Sequence, residues 1–240
     1  MDFLKLYGFF SLIQFGRYIL IAGGAYLFFW SRPNTWTQKK RIQKKDFTPR
    51  DLKREFLYSI VSSLIFGLIL SFSFPDINKV RALQLMTSWP NVLFEVFILV
   101  LVHDTYFYWM HRLVHHPLLF NTIHKVHHLS TNPSPFAALS FHPIEALLEI
   151  VWICPIAYFF HFEMITWVIF GFVIIFINVL GHLNVEVYSR RWKANAILKY
   201  LNYSKDHNDH HKHFHGNYGL YLSIWDRWMK TYRAESYSTE

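Results

Sequence analysis

The chain has 240 residues, 52% of them hydrophobic, 20% aromatic and only 17% charged, with one cysteine and a formal net charge of +8. So little charge, with the apolar residues gathered into long runs, argues against a water-surrounded globule, and a lone cysteine excludes an intrachain disulfide, a cysteine-held iron–sulfur centre and a cysteine-based zinc knuckle. The positive excess does not read as a nucleic-acid footprint, because nine basic residues fall between Arg32 and Arg54, wedged between two apolar runs, as in a cytoplasmic loop lying on anionic lipid.

Residues 3–30 form an apolar segment of spanning length, interrupted by Lys5 and Arg17 and read as a retained anchor, since no basic leader or small-residue cleavage site marks it for removal. Residues 56–74 are a cleaner span without formal charge, closed by Pro75. A third span covers residues 92–110, with Glu95 near its start and His103 and Asp104 making its last turns polar. Residues 144–160 and 164–181 are expected to form an apolar hairpin around "HFE". The expected fold is all-α: a multi-span transmembrane bundle carrying a helical, histidine-rich metal domain. It is read as one membrane-embedded unit, with residues 1–92 holding the N-terminal spans and basic loop, 93–232 the histidine-rich catalytic region and 233–240 a frayed tail.

Counting spans from a cytoplasmic basic loop puts the loop at 75–91, which holds only Lys79 and Arg81, on the far side. The histidine-rich stretches then all emerge on the cytoplasmic face, as they must to build one site. The setting is a multi-pass membrane protein of the endoplasmic reticulum or a bacterial inner membrane.

Fifteen histidines are far more than such a chain needs, and most fall in short clusters: "HRLVHH" (111–116), "HKVHH" (124–128) and "HNDHH" (207–211), with "GHLNVE" at 181–186. Residues three and four apart share a helix face, so His111 should point with His115, and each HxxHH triplet should fan its rings in one direction. Eight clustered imidazoles exceed the four ligands of a usual zinc site, so two metal ions are implied; neutral imidazole suits zinc, copper, iron and nickel alike. Asp104, Asp206 and Asp209 are candidate carboxylate partners for the second ring nitrogens. For His103, His116 and His161 a structural role is the expectation.

The order HRxxHH, HKxHH, "PSPFA" running into "FHPIE", a "GH" at the end of a span and HxxHH before "NYGLYLSIWDRWMKT" resembles the fatty acid hydroxylase and sterol desaturase superfamily of membrane di-iron enzymes, most of all its sterol C-5 desaturase branch. The resemblance covers roughly residues 100–232. It implies that His111, His115, His124, His127, His128, His207, His210 and His211 are metal ligands, with His182 a ninth. Some relatives carry a second histidine shortly after the position of His182; here Glu186 stands four residues on, as an added ligand or a supporting group. His142, with Glu145 one turn later, is a candidate for orienting the site or the substrate. The proline-rich passage between the second cluster and His142 is expected to be a non-helical cover that shapes a substrate entrance.

The function so implied is an oxidoreductase: two irons and O2 hydroxylate or desaturate a sterol or fatty-acyl C–H bond. Without an "HPGG" haem signature or a glycine-rich dinucleotide fingerprint, electrons are expected from a separate cytochrome b5 or ferredoxin-type donor, with the basic face at 39–54 a candidate dock. The rival readings are a zinc-dependent membrane hydrolase, for which no HExxH pair is present, a haem electron carrier using histidines in the spans, and a non-catalytic family member that keeps the metal site.

Overall fold

The computed structural model describes residues 2–31, 34–75 and 88–233. The expected far-side loop with Lys79 and Arg81, the basic residue Arg32 and the tail beyond Arg233 lie outside the described residues.

Among the described residues the architecture is helical, relieved by two isolated bridges, Arg41 with Val185 and Leu201 with Leu222. Helix α1 (Phe3–Ser31) starts where the Asp2 carboxylate accepts the Lys5 N–H, and its later turns loosen to π-helical spacing. After the short α2 (Thr35–Lys40) comes α3 (Pro49–Ser73), capped by the Thr48 hydroxyl and opened by a proline, whose missing N–H costs nothing at that position. Next is α4 (Trp89–Val114). These three long helices and α8 (Met164–Gly181) are long and apolar enough to cross a membrane. Their outward residues, among them Leu20, Phe28, Phe94 and Phe97, are large, apolar and exposed, a surface that suits lipid.

A stripe of small residues lets α3 approach α1 closely. Ser59, Ser63, Gly67 and Ser71 recur every four residues and are buried, and a methyl on Gly67 would lie 2.7 Å from the backbone nitrogen of Ser11. Behind this contact Phe10, Phe66, Leu70, Trp152, Trp167 and Phe170 form the core.

The hairpin at 144–181 departs from expectation in its first leg, which is two short helices, α6 (Pro143–Val151) and α7 (Ile153–Phe159), instead of one span. Pro155 explains the break: it offers no N–H to Val151, four residues back, and its ring would crowd that carbonyl. The leg still crosses the protein. At its far end the Glu95 carboxylate accepts the Glu163 N–H at 3.2 Å and the Thr166 hydroxyl, fixing the turn into α8 beside the start of α4. Both α4 and α8 therefore run toward the same end of the molecule.

At that end lie the histidines. A π-helical turn (Phe120–His124) leads into α5 (Lys125–His128), a single 3-10 turn (Pro135–Leu139) dips back among the spans, and after α9 (Arg190–Ala194), α10 (Ser204–His213) and α11 (Ile224–Trp228) close the chain. The basic segment is not a free loop against lipid. Gln43 donates to Thr131 O (2.8 Å) and Asn208 Oδ1 (2.9 Å), Asn132 donates to Lys45 O (2.8 Å), and Arg54 donates to Ser130 Oγ (3.0 Å), stitching it across the histidine-bearing segments.

Candidate metal centre

Nine histidines form two groups whose ring nitrogens lie within 4.8 Å of one another: His111, His115, His124, His128 and His210 in the first, His127, His182, His207 and His211 in the second. Helix geometry produces this partition. At 100° per residue, positions i and i+4 sit about 40° apart while i+3 lies about 60° to the other side. His111 with His115, and His124 with His128, thus face the first group, and His207 with His211 the second. His127 and His210 cross over, each to the opposite group. The expectation that each HxxHH triplet fans in one direction is corrected: each spans both groups.

Within the groups the Nε2 atoms converge. His111 and His124 are 3.2 Å apart, and His115 lies 3.1 Å from both His128 and His210. In the second group His182 lies 3.3, 3.1 and 3.0 Å from His127, His207 and His211. Nitrogens held about 2.0–2.1 Å from one ion would be separated by roughly 2.9 Å at a right angle and 3.4 Å at the tetrahedral angle, which brackets these spacings.

The far side of each ring shows what the convergence means. His111 donates from Nδ1 to Tyr218 O (2.9 Å), His124 to Glu145 Oε1 (2.6 Å), His127 to Ser140 O (3.4 Å), His182 to Asn178 O (2.7 Å) and His210 to Gly216 O (2.7 Å). A carbonyl or carboxylate only accepts, so these five rings carry their proton on Nδ1 and present a bare lone pair at Nε2. In the pairs His111–His124 and His127–His182 neither nitrogen has a proton to share, so no hydrogen bond joins them. Protonation is no remedy: burial, then the charge of neighbouring histidines, holds His124, His127, His128, His207, His210 and His211 far below the usual imidazole range, and burial pushes His182 down to about 4. Buried lone pairs meeting at 3.2–3.3 Å suit a metal ion, and the residues present could hold one in each group.

The supporting residues differ from those expected. Glu145, buried and bound to His124, was legible only as a carboxylate in an apolar helix. Asp104 supports no ring; it accepts the N–H groups of Tyr221 (2.9 Å) and Leu222 (3.2 Å). Asp226 does the same for Tyr218 (2.9 Å) and Gly219 (2.8 Å). The two carboxylates clamp the segment whose carbonyls at Gly216 and Tyr218 orient His210 and His111. Gly216 itself has φ 70° and leaves no room for a side chain beside Thr231.

Glu186 stands outside both groups. Its oxygens accept the N–H groups of Tyr188 (3.0 Å) and Lys205 (3.2 Å), tying the chain to the first turn of α10, and burial pushes its carboxyl up. Asp206 pairs with Lys193 (2.9 Å) and Asp209 with His213 (2.8 Å), so neither holds a ligand ring. His142 caps α6 through the Ile144 N–H, one turn before Glu145. His103 is buried and stacked on Trp152, with Nδ1 3.0 Å from the Tyr221 hydroxyl, and His116 caps a short turn.

Beneath the second group lies a cavity of about 330 Å³ between α1, α3, α6, α7 and α8. Leu139, Phe141 and Asn178 line its upper end. The Phe141 ring lies 5.0 Å from His127, and Asn178 both donates to Ala138 O (2.8 Å) and accepts from His182. The proline-rich passage thus forms the cavity's roof, held down by Tyr18 and Ser59, which donate to Phe136 O at 3.0 and 3.2 Å.

The family model for fatty acid hydroxylases matches residues 96–231. The mouse protein lathosterol oxidase is 33% identical over 142 residues, which cover 58% of this chain and 45% of that protein. A Delta(7)-sterol 5(6)-desaturase of Aspergillus fumigatus is 33% identical over 131 residues, 54% of this chain and 35% of its own length. A second such desaturase from that fungus is 27% identical over 246 aligned positions, 89% of this chain and 73% of its own. The chain thus spans less than half the length of the first two of these relatives. No solved structure matches it.

Proposed function

The chain belongs to the fatty acid hydroxylase family, and from that premise and its paired histidine groups we propose that it is an integral-membrane di-iron oxygenase that hydroxylates or desaturates a lipid C–H bond. The observation that carries this reading is the pair of histidine groups at one end of apolar helices, each holding two buried Nε2 lone pairs that face one another. His111, His115, His124, His128 and His210 would hold one iron, and His127, His182, His207 and His211 the other. When bound, the two irons supply O2 reduction, with two electrons from outside, and hydrogen abstraction from an unactivated C–H bond.

The chain's own residues do the rest. The carbonyls of Asn178, Gly216 and Tyr218 and the Glu145 carboxylate lock the tautomer and direction of four rings. The apolar cavity receives the lipid body, and Leu139 and Phe141 exclude water at its upper end. The metal end faces the cytoplasm, where exposed Lys39, Lys44, Lys45, Arg50 and Lys53 surround the stitched segment and offer a separate cytochrome b5 or ferredoxin-type donor an acidic-protein dock.

The test is metal content with product analysis. Protein purified in mild detergent should carry about two irons per chain, and membranes expressing it should gain an O2-dependent hydroxylated or unsaturated lipid that a His127→Ala, His210→Ala variant does not make. Folded protein that binds no metal after iron reconstitution would overturn the reading.

A further inference from the structure

Helix α1 carries an arginine into the middle of the apolar bundle, and the cavity explains where it points. Arg17 and Gln14 both line the cavity wall, beside Gly171 on α8. The guanidinium lies so close to Gly171 that any Cβ there would strike Nη1, and it sits 5.8 Å over the Phe172 ring. Among the described residues its one hydrogen bond runs from Nη2 to Gln14 Oε1, and its buried Nε has no partner there. Among the described residues no carboxylate lies within ion-pair distance of it. Arginine stays charged in any setting, so a cation faces a lipid-sized cavity without a counter-ion. Because Gln14 spends its oxygen on Arg17, what the pair still offers is donors: Nε, the free guanidinium protons and the Gln14 amide N–H groups. The cavity's other ionisable lining group, Glu149, stands on α6 one turn after Glu145, the residue that holds His124.

We propose that Arg17 and Gln14 anchor the carboxylate of a long-chain lipid acid whose chain runs up the cavity toward the second histidine group. A planar, charged fork with no acceptor left selects a two-oxygen anion over a hydroxyl. Distance then selects the shape. Gly171 lies eleven residues before His182 on one helix, about 16 Å along its axis, which corresponds to roughly ten or more carbon–carbon bonds of an extended chain. A sterol bound by its ring hydroxyl would leave the neighbouring ring carbons beside Arg17, far from the metal end. An acyl chain held by its acid end reaches it.

This anchor rests on the oxygenase reading for the reactive end alone, so its test reads binding and not turnover. Detergent-purified protein is titrated with stearate, methyl stearate, stearyl alcohol and a Δ7 3-hydroxysterol, and bound lipid is counted by native mass spectrometry. Stearate should bind at least tenfold more tightly than its methyl ester or the alcohol. Arg17→Gln should remove that preference while iron content and thermal midpoint stay at wild-type values. Equal binding of acid and ester by the wild type, a sterol bound more tightly than stearate, or an acid preference surviving in folded Arg17→Gln would each overturn the anchor. The wild-type comparison stands even if the variant fails to fold. Wild-type protein that turns over with O2 but binds acid and ester alike rejects the anchor alone; wild-type protein that prefers the acid but shows no turnover rejects the oxygenase reading alone.

Discussion

Replacing His127 and its neighbour His128 by alanine, one at a time, should weaken different metal sites. His127 is one of four nitrogens in the second group and His128 one of five in the first. A four-ligand site of this kind binds its ion with an apparent free energy of about 10–16 kcal/mol, so an equal share for one ligand is about 3 kcal/mol, or roughly a hundredfold in affinity. One of five is worth about 2–3 kcal/mol on the same reckoning. Iron retention measured against rising concentrations of a chelator should show two phases in the wild type. His127→Ala should shift one phase by about two decades and His128→Ala the other. His210→Ala should behave like His128→Ala although its own triplet lies 83 residues further along the chain, and His211→Ala like His127→Ala. If His127→Ala and His128→Ala weaken the same phase, or if pairs sort by sequence cluster instead of by group, the partition derived from helix geometry is wrong.

Four further outcomes test the supporting structure. Glu145→Gln removes the carboxylate that accepts from His124 and should weaken iron binding in the His128 phase by roughly 10–100-fold, leaving the His127 phase in place; an unchanged chelator curve would refute the role given to Glu145. Asp226→Ala strips the acceptor from two buried-segment N–H groups and the Thr231 hydroxyl and should cost about 2–4 kcal/mol in detergent unfolding, whereas a loss under about 0.5 kcal/mol, the size of an ordinary surface change, would show the clamp is not needed. Gly67→Ala places a methyl against the Ser11 backbone and should cost about 1–3 kcal/mol, while Gly8→Ala, with nothing within 4 Å of its Cβ position, should be neutral or stabilising; equal midpoints for the two variants would sink the close-packing account of α1 and α3. Reversing charge at Lys44, Lys45 and Lys53, all exposed, should raise the donor concentration needed for half-maximal turnover and flatten its salt dependence, and unchanged kinetics would remove the docking role.

The histidine groups were legible because their information lies in side-chain spacing. Eight histidines at helical intervals announce themselves, His182 is implied only by the family resemblance, and the division into two groups follows from the 100° step once each triplet is placed on a wheel. The supporting shell was far less legible. Four of the five Nδ1 acceptors are main-chain carbonyls, of Ser140, Asn178, Gly216 and Tyr218, and a carbonyl belongs to every residue type. Acidic residues near the clusters misled for a related reason: Asp104 and Glu186 serve backbone N–H groups of irregular segments, whose need for acceptors appears only once the chain is folded. The broken leg at Trp152 could have been read from Pro155, yet the hydropathy of 144–160 alone looks like a continuous span. Arg17 was visible as an interruption in an apolar run, but the cavity it faces is made by four other helices.

The topology also sets which histidine group the cavity adjoins. Helices α4 and α8 both end at the histidine groups, so the partial negative charge of two helix C-termini would favour cations held there. Two neighbouring helices can run the same way only if the chain returns between them, and the hairpin's first leg is that return. Because Pro155 breaks it, α6 and α7 do not fill the space beside α8 as one straight helix would, and the gap is the cavity. Its roof is Phe141 and Asn178, which touch His127 and His182. Of the first group, His111 and His115 are approached instead through the clamped C-terminal segment and α4. Under the proposed function, a lipid in that cavity would therefore meet the four-histidine group first. That group also has one fewer histidine nitrogen among the described residues, so an ion held there would have more room beside it for a reacting partner.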